Sequence, residues 1–123
     1  MKRAVYGFAL AVLGLSVLLQ AQVRVPQFAR LSEEVSTKLI LSKAESTYPK
    51  EAREKQIEGS VVTRVHVSEE GKVYKVSALS GDPLLVPAAT DAVKKYTYKP
   101  FVLNGEPIKF ETRVTFNFTL ANK

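Results

Sequence analysis

The chain has 123 residues, 46% hydrophobic and 24% charged, with a formal net charge of +6. That composition fits one ordinary domain around a single core. With no cysteine and one histidine, disulfides, thiolate metal sites, cysteine nucleophiles and iron–sulfur clusters are excluded, and any imidazole chemistry rests on His66 alone. The positive charge is mild and spread along the chain, unlike the concentrated basic surface of a nucleic-acid binder.

Lys2 and Arg3 precede Ala4–Leu19, a 16-residue run without charge, and Ala21 follows as a small residue for cleavage. This pattern predicts a secretory signal peptide over residues 1–21. As a helix the run would span ~24 Å, short of the ~30 Å hydrocarbon core, although Leu19 at the −3 position keeps a short uncleaved membrane anchor as the alternative. Loss of Lys2 and Arg3 would lower the net charge from +6 to +4. Residues 22–47 read as a short linker. Within it Phe28, Leu31, Val35 and Leu39 recur at three- and four-residue steps, predicting an amphipathic helix near Leu31–Leu41 with Ser32 placed to cap it; an extended segment is the competing reading.

From Tyr48 the signals sharpen. Pro49 and the helix formers of Lys50–Gln56 predict a short helix that stops before Gly59. Ser60–Val67 predicts a strand with Val61, Thr63, Val65 and Val67 on one face, Ser68-Glu69-Glu70-Gly71 a turn, and Lys72–Ser80 the returning strand. Gly81-Asp82-Pro83 breaks the chain. Leu85, Ala88, Ala89, Ala92, Val93 and Tyr96 then mark one helical face, with Pro87 near its start and Lys94 and Lys95 near its end. After Pro100 and the Asn104-Gly105 turn comes the cleanest strand, Ile108–Leu120, whose apolar residues alternate with polar ones for 13 residues. The order is helix, strand, strand, helix, strand. Strands joined by a tight turn are antiparallel, so the expected fold is α+β, a small three-stranded antiparallel sheet with two helices on one face.

The order and spacing of several fragments resemble the TonB C-terminal domain. These are Tyr48-Pro49-x-x-Ala52, Ile57-Glu58-Gly59-x-Val61, Val67-x-x-x-Gly71-x-Val73, Ala88-Ala89 with Ala92-Val93, Tyr98-x-Pro100, Asn104-Gly105-x-Pro107-Ile108 and Val114-x-Phe116-x-Phe118. Together they extend over about Leu41–Leu120 and set a domain at residues 48–121. Tyr96-Thr97-Tyr98 stands where the family carries Trp, a basic residue and Phe or Tyr, so the basic middle residue is lost. The resemblance implies a non-enzymatic periplasmic module without metal or cofactor, gripping outer-membrane receptors in the transport of iron complexes or other nutrients by adding a receptor segment to a sheet edge.

The expected edge is Lys109–Thr119, with Lys109, Glu111, Arg113, Thr115 and Asn117 outward; the helix-proximal surface around Tyr48 and Arg53 is the second candidate. Outward charges also guard an edge against aggregation, so as single side chains they read equally as a solvated face. The chain departs from the family's best-known members, which carry functional polar residues in a membrane anchor and a long Pro-rich spacer. Ala4–Leu19 has no His or acid, and Gln22–Thr47, 26 residues with one Pro, reaches at most ~90 Å. A free-standing exported domain is therefore expected, tied to the membrane only if its N-terminal segment is uncleaved. An envelope scaffold that forms a homodimer through its edge strand is the alternative.

The remaining features are bland. His66, with Val62 and Arg64 on the wet face of its strand and no second histidine, reads as a surface residue rather than a metal ligand. Glu33-Glu34 and Glu69-Glu70 are adjacent carboxylates that point apart in solvent. Lys94, Lys95 and Lys99 interleave with Tyr96 and Tyr98, but Tyr96 lies on the buried helix face, so no nucleic-acid platform is expected.

Overall fold

The computed structural model describes residues 28–120; the expected signal peptide lies outside the described residues. The elements are β1 (Phe28–Arg30), α1 (Glu33–Thr37), β2 (Ile40–Ser42), α2 (Lys50–Glu54), β3 (Gly59–Val67), β4 (Val73–Ser80), α3 (Val86–Val93), β5 (Thr97–Tyr98), β6 (Phe101–Leu103) and β7 (Glu106–Phe118). β-Branched residues dominate β3, where Val61, Thr63, Val65 and Val67 are buried and their neighbours are not. Along β7, Ile108, Phe110, Thr112, Val114 and Phe118 turn to the same side. β7, β3 and β4 lie side by side and antiparallel, with Thr63 opposite Val114 and Val65 opposite Val76. This is the α+β core expected.

One apolar cluster joins Val65, Val67, Phe110 and Val114 of the sheet to Val93, Tyr96 and Tyr98. A second joins Val61 and Phe118 to Ala52 of α2 and Leu85 and Ala89 beside and within α3. The helices thus cover one face and leave the other to solvent. α3 is launched by Asp82, whose carbonyl accepts the Leu85 and Val86 N–H groups and whose carboxylate accepts that of Leu84 at 2.9 Å. α2 ends five residues before Gly59. Gln56 takes a left-handed φ of 56°, and the N–H groups of Gln56 and Ile57 return to the carbonyls of Arg53 and Ala52, a Schellman closure without its usual glycine.

The sheet is wider than the three strands expected, and there is a third helix. β6 folds back antiparallel on β7 through Asn104-Gly105, both with positive φ. β1 lies parallel to β7 on the side away from β3, and β2 with β5 forms a separate ribbon. The stretch expected as a linker therefore joins the folded unit from Phe28 on, because Ala29, Leu31, Leu39 and Ile40 pack against the first cluster. The helix there is shorter than Leu31–Leu41. Ser32 caps it, accepting the Val35 N–H at 3.1 Å. Its buried residue is Ser36, hydrogen bonded to the buried Thr112 hydroxyl at 2.6 Å, while Val35 stays 45% exposed. Strand pairing on both sides limits the helix to one turn and a half.

Candidate functional site

A strand with strict side-chain alternation also alternates its backbone groups between its two neighbours. On β7 two contacts settle the sense. The Glu111 carbonyl accepts the Leu31 N–H at 2.9 Å, on the side away from β3. The Thr115 N–H is donated to the Glu33 carboxylate at 2.8 Å on that same side. The odd-numbered residues of β7 therefore turn their peptide groups outward, away from β3.

That outer margin is divided. Residues 109–111 are taken there by β1. Beyond Glu111 no strand pairs with β7 on this side among the described residues. The expected edge Lys109–Thr119 is thus corrected in its first part: Lys109 and Glu111 are paired with Phe28 and Arg30, because the alternating Phe28-Ala29-Arg30 segment is itself extended and seats Ala29 inward. The open margin is Arg113–Asn117. Glu33 stands at its middle, accepting the Thr115 N–H with one carboxylate oxygen and the Thr115 hydroxyl with the other, at 3.0 Å. A carboxylate there occupies the place a partner strand's carbonyl would take.

On the solvent face beside this margin, Arg30, Arg64, Arg113, Glu33 and Glu111 line a surface pocket of about 520 Å³. Arg30 lies opposite Glu111 in register, and Arg64 lies directly opposite Arg113. Glu111 pairs with Arg64 at 3.3 Å. Like charges directly across a strand pair repel, and of the three guanidinium groups on that face only Arg64 has an ion pair among the described residues, with Glu111.

The other expected residues are placed apart from one another. The Lys109 ammonium sits 5.5 Å from the ring centroid of Tyr74, at the end of a row in which His66 lies 6.3 Å from Phe28 and 5.9 Å from Tyr74. Asn117 accepts a hydrogen bond from Ser60, its neighbour on β3. Tyr48 donates its hydroxyl to the Ile57 carbonyl and meets Phe118 edge-on, with the Arg53 guanidinium over its ring at 5.1 Å. Burial, foremost, and the charge of Glu58 raise its phenol above the ordinary tyrosine range. Tyr48 and Arg53 therefore brace α2 against the end of the sheet, away from the open margin. Glu33, Arg30 and Arg64 were not singled out from sequence as site residues. Glu33 read as a solvated carboxylate, although its place just after the capping Ser32 is a signal that fixes where it points. No group of three or more His, Asp or Glu side chains able to hold a metal ion occurs among the described residues, and no helix among them is long and apolar enough to cross a membrane.

Residues 44–120 match the family model described as the C-terminal part of the Gram-negative bacterial TonB protein. Protein TonB of Vibrio cholerae serotype O1 is 29% identical over 84 residues, 67% of this chain and 34% of that protein, so the chain spans about a third of the length of this curated relative. Among solved structures, the solution NMR structure of the Pseudomonas aeruginosa TonB CTD superposes with a TM-score of 0.57 at 21% identity, covering 68% of this chain and 87% of that one. The same fold is present in both.

Proposed function

Because the chain belongs to the TonB C-terminal family, we propose that it is a non-enzymatic protein-binding module of the cell envelope. On this reading it engages a short extended segment of an outer-membrane receptor by β-strand addition, in the transport of iron complexes or other nutrients. The observation that carries the reading is the margin Arg113–Asn117, where outward-turned peptide groups lie beyond the reach of β1. Main-chain pairing needs only those groups in register. The surface is exported, consistent with the charged and apolar pattern of residues 1–21.

The test compares Thr115→Pro with Thr115→Ala. Proline deletes the outward N–H and fixes φ; alanine keeps both backbone groups. Circular dichroism first establishes that each variant is folded. A receptor-derived extended peptide should bind the alanine variant and not the proline variant. Equal affinity for both would rule out this margin and move attention to the surface around Tyr48 and Arg53.

A further inference from the structure

We propose that the end of the domain built around the β2–β5 ribbon docks on the anionic headgroups of a lipid bilayer, with Leu41 entering the interface and lysines meeting the phosphates. This goes beyond the strand-addition reading and does not depend on it. The ribbon sits where β3 turns into β4, since the Tyr98 N–H is donated to the Gly71 carbonyl. Residues 113–117 lie along the other half of β3, opposite residues 60–64.

The fold gathers lysines that the sequence scatters. Tyr98 is buried, so its neighbours Thr97 and Lys99 turn to solvent. Lys72 is bridged antiparallel to Thr97, which sets both side chains on one side. From the other flank Ser42 meets Thr97 through their hydroxyls at 2.7 Å, bringing Lys43 beside them. The Leu39 carbonyl accepts the Lys99 N–H at 2.7 Å, which brings in Lys38. Lys95 leads into the ribbon two residues before Thr97. All of these lysines are exposed, and none has an ion pair among the described residues, although the adjoining turn carries Glu69 and Glu70. The C-terminal end of α3 accounts for a lysine at 94 or 95; Lys43, Lys72 and Lys99 sit at no helix end.

Leu41 is 60% exposed, at the irregularity between Ile40 and Ser42 where the pairing with β5 shifts register. A lone exposed leucine is ordinary surface. Held on a hydrogen-bonded ribbon amid lysines, it completes the combination that binds a bilayer face, apolar contact plus attraction to anionic lipid. Lysine stems can lie along the interface while their ammonium groups reach the phosphate plane. A soluble polyanion satisfies the lysines and gives Leu41 nothing.

The chain has no tryptophan, so full-length protein carrying Leu41→Trp reports on this position alone, whatever residues 1–21 do. It is mixed with phosphatidylcholine vesicles, with or without phosphatidylglycerol, whose acyl chains are brominated as quenchers. Leu79→Trp, on the exposed edge strand β4, is the reference. The Leu41→Trp emission should shift to the blue and be quenched only where phosphatidylglycerol is present, with the effect lost at high salt; the Leu79→Trp emission should do neither. Adding Lys72→Gln and Lys99→Gln, both exposed changes, should lower the ratio of quenched to free emission about fivefold for each lysine removed. No shift, an equal shift on phosphatidylcholine alone, or equal quenching at Leu79→Trp overturns the proposal. So does an equal blue shift with heparin in place of vesicles, which would make the lysines a site for soluble polyanions.

Discussion

Glu33 and Thr115 are joined twice, through the backbone N–H at 2.8 Å and through the hydroxyl at 3.0 Å. A side chain from the first helix thereby occupies a stretch of β7 that, among the described residues, no strand covers on its outer side. A lone acceptor in place of a strand satisfies the edge in the free protein and is displaced when a strand arrives, so the contact opposes binding by the strength of a charge-assisted hydrogen bond at a half-buried site.

Glu33→Ala should therefore bind an extended peptide more tightly. Removing the competitor is expected to contribute about 1 kcal/mol, roughly a fivefold gain in affinity, with α1 still held by the Ser32 cap and the Ser36–Thr112 hydrogen bond. Calorimetric titration of both proteins with one peptide measures it. Weaker binding by the alanine variant would make Glu33 part of the recognition surface rather than its occupant.

Gly71 closes the β3–β4 turn with φ +88°, and a Cβ there would lie 1.9 Å from the Tyr98 carbonyl oxygen. The contact is backbone against backbone, and the Tyr98 N–H is donated to the Gly71 carbonyl at 2.8 Å, so neither side can give way. Gly71→Ala should destabilise the domain by about 3 kcal/mol or more. Gly105 has a similar φ of +81° with open space around it, and Gly105→Ala should cost only the left-handed strain of about 1–2 kcal/mol. Urea unfolding of the two variants separates steric clash from dihedral strain; equal losses would refute the clash.

Gln56→Gly should stabilise. The left-handed φ of 56° strains any side chain with a Cβ, and Gln56 is exposed, so little packing is lost. A gain of about 0.5–1 kcal/mol in urea is expected. A loss would mean that the glutamine side chain makes a contact stronger than the strain it bears.

Tyr98 is buried against Phe110 and Tyr96, and its hydroxyl finds no hydrogen-bond partner among the described residues. Burial, foremost, with the nearby Tyr96 and Glu33 charges, pushes its phenol far above the ordinary tyrosine value; burial raises Tyr96 as well. The folded state then holds these protons more firmly than the unfolded chain does. Their contribution is complete below about pH 10, where the unfolded phenols begin to ionise, and is lost as pH rises through the folded values. Tyr98→Phe should flatten the alkaline decline of stability and leave neutral stability equal or about 1 kcal/mol higher. Melting curves between neutral and strongly alkaline pH check both; an unchanged alkaline slope would assign the decline to other groups.

Much of the core was legible from side-chain periodicity. The alternation in Val61–Val67 and Ile108–Phe118 states which face meets the helices, and Gly71 states where the chain turns back, because burial of apolar side chains and tolerance of positive φ are properties of residue type. The short strand β1 was not legible, since three residues followed by a helix cap carry too little alternation to stand out from a linker. Nor was the inward turn of Ser36 over Val35, which follows from the buried hydroxyl of Thr112 that it meets.

By itself, the sequence determined the α+β core, the order of its main elements and the solvent face of β7. Only the tertiary structure decided which part of the β7 margin is open and what stands on it. The reason is physical: side chains record burial, whereas a peptide group's partner leaves no mark on residue type. Glu33 and Thr115, 82 positions apart, become neighbours only when β1 pairs parallel to β7 and carries α1 to the end of that pairing.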